Sequence, residues 1–279
     1  MLWQTLLHGD PLPWLLEKSD PAVRTLTLRQ LLDRGPRDAD LRETQQRAMS
    51  SPPISTLLKR QRTDGSWPGP NMYGPKYQGT HWSNLLLIEY GADPGDPRVR
   101  RAARRVLEDV SQPDHAGMGW VFERDHGVSC FVGNVVRYVS MAGYGGDARL
   151  EPLVQRLVRE SKKYDAACVI NGDDPCAWGY SRLIWGLASY LWRQLSFPLF
   201  YQADVLFVLR AIDAAGEIDD PRAQPAIAWL LARQDSRGRW AGRAPYADRM
   251  ASRVDASKWV TLQVLTILKH AFSPDENGS

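Results

Sequence analysis

The chain has little cysteine, no long hydrophobic run, no block of one charge and few strand-like alternations. Three cysteines in 279 residues make an odd count and a poor disulfide framework. The expectation is a cytoplasmic protein with reduced thiols. No apolar stretch approaches the roughly 18 residues that a membrane-spanning helix needs. The opening Met1-Leu2-Trp3-Gln4 lacks the charged, apolar and small-residue segments of a secretion signal. A net charge of +3 and a pI of about 8.8 are too slight to point to nucleic acid. The densest basic stretch, Arg98 to Arg105, is interrupted by Val99, Ala102 and Ala103. It reads as the solvated face of an amphipathic helix. Also missing are a phosphate-cradling glycine loop, a Gly-x-Ser-x-Gly elbow and a His-Glu-x-x-His pair.

What the chain does have is tryptophan, eleven of them, and a phrase that recurs. Gln61-Arg62-Thr63-Asp64-Gly65-Ser66-Trp67 returns as Gln234-Asp235-Ser236-Arg237-Gly238-Arg239-Trp240. Gly117-Met118-Gly119-Trp120 is a shortened copy, and Lys162 to Cys168 stands where another is due. Such repeats mean one supersecondary unit stacked several times. Within the unit, Gly tolerates a left-handed turn, Trp packs on a helix end and Gln bonds free backbone groups. These are structural roles.

Helical periodicity dominates the rest. Asp20-Pro21 opens the first clear helix, which runs through Leu31 and stops near Gly35-Pro36. A pattern of helix, glycine turn, Asp-started helix then recurs. His81–Tyr90 leads through Gly91 to Asp96-Pro97-Arg98 and a helix to Val110. Cys130–Met141 leads through Gly143 to Asp147 and a helix to about Ser161. Asp204–Ala214 leads through Gly216 to Asp220-Pro221-Arg222 and a helix to Arg233. Cys176 to about Arg193 and Trp259–Ala271 complete the set. The first helix of each pair is apolar on most faces and the second on one side only. All-round apolar helices are buried and one-sided ones lie outside. Five or six such pairs predict an all-α fold, an (α/α)6 barrel with inner and outer helix rings. No linker divides the chain, so 1–279 is expected to form one domain, with about 273–279 frayed.

The repeat at Gln61–Trp67 and Gln234–Trp240 resembles that of squalene and oxidosqualene cyclases and of protein prenyltransferase β subunits. More closely, the chain resembles small single-domain squalene-cyclase-like proteins. The likeness extends through Trp14-Leu15-Leu16-Glu17, Asp20-Pro21-Ala22-Val23-Arg24, Tyr73-Gly74-Pro75-Lys76-Tyr77, Cys130-Phe131-Val132-Gly133-Asn134, Phe197-Pro198-Leu199-Phe200-Tyr201 and Lys258-Trp259. It implies an α/α toroid with an apolar central cavity, and a cyclase or transferase acting on a hydrophobic, isoprenoid-like molecule. The chain departs from the cyclases in one respect: the Asp-x-Asp-Asp acid motif is absent. Its only Asp-Asp pairs are Asp173-Asp174 and Asp219-Asp220. The second sits at a helix start, as a cap. Asp173 and Asp174 are the candidate catalytic acids, and one would have to stay protonated through burial or its charged neighbour.

Two other constellations stand out. Cys130 and Cys176 open inner helices, Cys168 lies in the loop between their units, and His126 is four residues before Cys130. Three thiolates and an imidazole suit tetrahedral Zn²⁺. The alternative is three buried cysteines acting as small apolar residues. Trp178, Trp185 and Trp192 are spaced by seven on one helix and form a stripe. With Trp82, Tyr138 and Trp259 they would line the bore and bind substrate, or would pack one helix on another. Arg243, Arg249, Arg253 and Lys258 form the only cluster that would hold a diphosphate. His8, His115 and His270 have no evident partner in sequence. Two functions therefore stand: an enzyme with an open aromatic cavity, and a binding or scaffold protein with a structural, cysteine-bound zinc and a filled bore.

Overall fold

Capping and apolar periodicity set the helix boundaries seen in the computed structural model, which describes residues 2–112, 129–153, 204–244 and 252–272. Among the described residues the regular structure is helical, with no strand. Its α-helices are α1 (Leu12–Leu15), α2 (Pro21–Leu26), α3 (Ala39–Ser50), α4 (Ile54–Lys59), α5 (Thr80–Glu89), α6 (Pro97–Ser111), α7 (Ser129–Val139), α8 (Val205–Ala214), α9 (Gln224–Leu231) and α10 (Ala256–Phe272). A wider π turn carries α2 on through Thr27–Leu31, and another carries α7 on through Ser140–Tyr144. No described helix is long and apolar enough to cross a membrane.

The Asp-started helices share one piece of local chemistry. Asp96 accepts from the Arg98 backbone N–H at 2.8 Å, and its two oxygens take Arg98 Nε and Nη2 at 3.0 and 2.7 Å. Asp147 holds Arg149 in the same way, with side-chain distances of 2.8 and 2.7 Å. Asp220 repeats it with Arg222. Each aspartate satisfies a free N–H of the first turn and fixes its own arginine. The glycines that end the preceding helices, Gly91, Gly143 and Gly216, all have positive φ, as a left-handed helix stop requires.

The described residues fall into two compact units. The first comprises those of 2–48, 204–244 and 254–272. Its centre is α10, which packs on the N-terminal turn at Leu2–Leu6, on α2 and its extension, and on α8. Trp3, Leu15, Leu31, Trp240 and Trp259 fill this core. The second unit comprises the described residues of 49–153 with 252–253. There α5 is buried on nearly every face and packs on α4, α6 and α7. In contrast, α6 buries Val99, Ala102, Ala103, Val106, Leu107 and Val110 and turns its arginines outward.

The repeated phrase makes the same bonds in each unit. Trp67 Nε1 donates to the Leu57 carbonyl near the end of α4, at 2.9 Å, and Trp240 Nε1 to that of Leu230 near the end of α9, at 2.7 Å. The Trp67 backbone N–H reaches Thr80 Oγ1 at 3.0 Å, and that of Trp240 reaches Thr261 Oγ1 at 2.9 Å. Gly65 and Gly238 both have positive φ, and a Cβ on either would sit under 3 Å from backbone. Each copy thus ties the end of one helix to a buried one and satisfies a terminal carbonyl.

Candidate functional site

The first turn of α5 brings His81 into the core of the second unit. His81 is 1 % exposed. Phe131 of α7 stacks on its ring at 4.4 Å, Trp82 meets it edge-on at 5.0 Å, and Tyr73 and Tyr138 lie at 6.0 and 5.6 Å. Tyr73 is half-buried, and the other rings are buried. Nδ1 of His81 lies 3.2 Å from the Tyr138 hydroxyl. Burial pushes the His81 pKa down to about 3, so the ring is neutral across the physiological range. Burial likewise raises Tyr138 well above the ordinary phenol value, with the charge of Asp109 adding to it. Asp109 is itself buried on α6 and paired with Arg105 at 2.5 Å. Burial raises its carboxyl pKa, although Arg105 opposes this. The arrangement is a neutral imidazole boxed by four aromatic rings, one of them the Tyr138 phenol within reach of Nδ1.

A second polar cluster forms in the first unit, at the start of α10. Lys258 is 4 % exposed, and its Nζ bonds Glu17 Oε2 at 2.8 Å. The Arg239 guanidinium lies 4.2 Å from the Trp14 ring centre and Lys258 Nζ lies 5.3 Å from it. Asp20 caps α2 through the Val23 N–H at 3.1 Å. Burial raises the Asp20 pKa and Asp255 adds to this, against the pull of Lys258. The bond to Lys258 holds the Glu17 carboxyl below its usual range.

The sequence-derived sites are distributed as follows. Trp82 and Tyr138 come together around His81, both essentially fully buried. Trp259 is buried in the first unit. Cys130 lies in the first turn of α7, with its side chain outside the described ones. Cys168, Cys176, His126, Asp173, Asp174, Trp178, Trp185 and Trp192 lie outside the described residues, as do Arg249 and His115. Among the described residues no group of three His, Cys, Asp or Glu side chains is placed to hold a metal ion. Of the candidate diphosphate cluster, Arg243 and Arg253 are exposed and Lys258 is paired with Glu17. His270 has a partner after all: its Nδ1 lies 2.7 Å from Asp213.

Sequence reading missed Asp109, which is one of two adjacent acids on an arginine-rich helix, and it took Asp20 for a cap alone. The bonds to the repeat tryptophans match Thr80 with Thr261, and so His81 with Leu262. Comparison with models of known families, with characterised proteins and with solved structures found no match to this chain.

Proposed function

We infer that the chain is an α/α toroid of the terpenoid cyclase and protein prenyltransferase kind, and that it acts as a cyclase or transferase on a hydrophobic, isoprenoid-like substrate. The observation that carries this reading is the neutral His81 among Tyr73, Trp82, Phe131 and Tyr138. A reaction that passes through a carbocation needs π faces, because ring quadrupoles attract a cation. It also needs freedom from fixed positive charge at the reacting carbon. A weak base suffices to end it, because a carbocation is a strong acid. His81 meets these requirements, and the Tyr138 hydroxyl, 3.2 Å from its Nδ1, orients the ring. Asp173 and Asp174 supply the acid in place of the missing motif. The recurrence of the Gln–Gly–Trp unit, with the same bonds in both copies, supports the fold side of the reading.

One observation favours the second reading, a non-catalytic scaffold with zinc held by Cys130, Cys168, Cys176 and His126. Trp82, Tyr138 and Trp259 are each at most 1 % exposed, as a filled interior requires.

The test is product analysis with squalene and with farnesyl and geranylgeranyl diphosphate, alongside elemental analysis of wild type and Cys176→Ser. Turnover by wild type that is lost in His81→Phe at unchanged melting temperature is the expected result. No product from wild type overturns the enzymatic reading. Stoichiometric zinc lost in Cys176→Ser would then establish the scaffold.

A further inference from the structure

The outer face of α6 carries two arginines that the helix does not use. Arg98 is committed to Asp96, and Arg105 to Asp109 and Asp64. Arg101 reaches the Thr63 carbonyl at 3.4 Å. Arg100 and Arg104 are both exposed, and neither has a carboxylate partner among the described residues. Four residues apart, they share one face of α6. Both turn to the same neutral group, the side chain of Tyr144. Arg104 Nε lies 3.3 Å from the Tyr144 hydroxyl, and the Arg100 guanidinium carbon lies 5.3 Å from its ring centre.

The backbone is shaped to put Tyr144 there. The π turn at Ser140–Tyr144 packs on α6, and Gly143 within it has a φ of 88°. That conformation suits glycine and strains other residues. Gly145 and Gly146 follow, and a Cβ on Gly146 would meet no atom within 4 Å. The acids one turn away, Asp96 before Arg100 and Glu108 after Arg104, form no ion pair with them among the described residues, and Asp96 is taken by Arg98. Asp147 is held by both side-chain forks of Arg149, and the charge of Glu108 acts on Arg149.

A phenol is a poor partner for two guanidinium groups. It offers one neutral oxygen, whereas each guanidinium presents a fork of donors suited to an oxyanion. Charge-assisted bonds to an anion are roughly twice as strong as neutral ones. We propose that Arg100, Arg104 and the Tyr144 hydroxyl form a binding site for a phosphoryl group, from a small phosphate ester or from a phospholipid headgroup. The phosphoryl oxygens take both forks, and the Tyr144 hydroxyl turns from acceptor to donor. Burial alone would raise the Tyr144 pKa, but Arg104 and Arg100 outweigh it and lower it, in keeping with excess positive potential at this spot. The site is separate from the His81 box and does not rest on the enzymatic reading.

Binding of inorganic phosphate and of glycerol 3-phosphate would be followed by calorimetry at matched ionic strength. Binding to vesicles of phosphatidylcholine with and without phosphatidic acid would be followed by sedimentation. The variants are Arg100→Gln/Arg104→Gln, Tyr144→Phe and a charge-matched control, Arg37→Gln/Arg42→Gln, at exposed positions elsewhere. The expected result is at least a tenfold loss of affinity in the arginine double variant. A smaller loss is expected in Tyr144→Phe, and none beyond general charge screening in the control. An effect with the soluble esters identifies a small-molecule site, and one with the acidic vesicles alone identifies a headgroup site. No binding of any probe by wild type overturns the proposal, as does equal loss in the control.

Discussion

Lys258 runs against two residue-level expectations. A cation in the first turn of a helix faces the positive end of the dipole, and a lysine is seldom fully buried unless paired. Lys258 is nevertheless buried, and Glu17 is its closest acid, at 2.8 Å. The two partners are not equivalent, because the Glu17 side chain is 48 % exposed and that of Lys258 only 5 %. Removing one partner of an ion pair is costly when the charge left behind is buried. Glu17→Gln would leave the Lys258 charge inside the protein without its carboxylate partner. Lys258→Met would leave Glu17 to water and fill the space with a chain of similar length. Glu17→Gln is therefore expected to lower the urea midpoint more than Lys258→Met. The reverse order would mean that Asp20 and Asp255 carry the compensation. Sequence could give Lys258 its cationic neighbourhood but not Glu17 as partner, since 241 residues separate the two.

Element boundaries were the most legible part of the chain, and their legibility has a local cause. The Asp-Pro-Arg and glycine signals act within a few residues, so α5, α6, α7, α8 and the start of the helix after Asp220 fall within about two residues of expectation. The helix α3 was not foreseen. Its stretch Ala39–Ser50 has few apolar residues, so periodicity is weak, and Asp38 capping Leu41 at 2.9 Å is its clearest start signal. Contacts between elements were hidden for the opposite reason, because they join distant segments. The tie between α8 and α10 through Asp213 and His270 is one of these. The bond to Asp213 raises the His270 pKa above 6.5, against partial burial and Lys269. The folded state therefore binds a proton more tightly than the unfolded chain. The resulting stability is fully present below about pH 6.5, the unfolded value, and is lost as pH rises through the higher folded value. His270 is 45 % exposed, so water screens the pair and the effect is at most about 1 kcal/mol. Thermal melts from pH 6 to pH 9 should show wild type losing more stability than His270→Gln. Parallel curves would remove the linkage.

For the whole molecule, the repeat is the clearest sequence signal, and it is legible only in part. Both copies have Gln, Gly and Trp at matching spacing, so their likeness was plain. The threonines that complete the unit were not, because Thr80 follows Trp67 by 13 residues and Thr261 follows Trp240 by 21. Loop length is free to vary where both ends are held, since longer loops add little closure entropy. The two copies also share no hydrogen-bond partner: Trp67 uses Leu57 and Thr80, and Trp240 uses Leu230 and Thr261. Trp67→Phe and Trp240→Phe each leave a buried helix-end carbonyl without its indole donor. Each carbonyl keeps a backbone donor, the N–H of Arg60 or of Arg233, so the lost bond costs about 0.5–1.5 kcal/mol per site, before the cavity beside the smaller ring is counted. Since neither change removes a group that the other copy needs, the double variant should lose the sum of the single losses to within about 0.5 kcal/mol. Urea unfolding of the four proteins measures this directly. A double variant that loses markedly more or less than the sum would show that the copies support each other through contacts beyond their own hydrogen bonds.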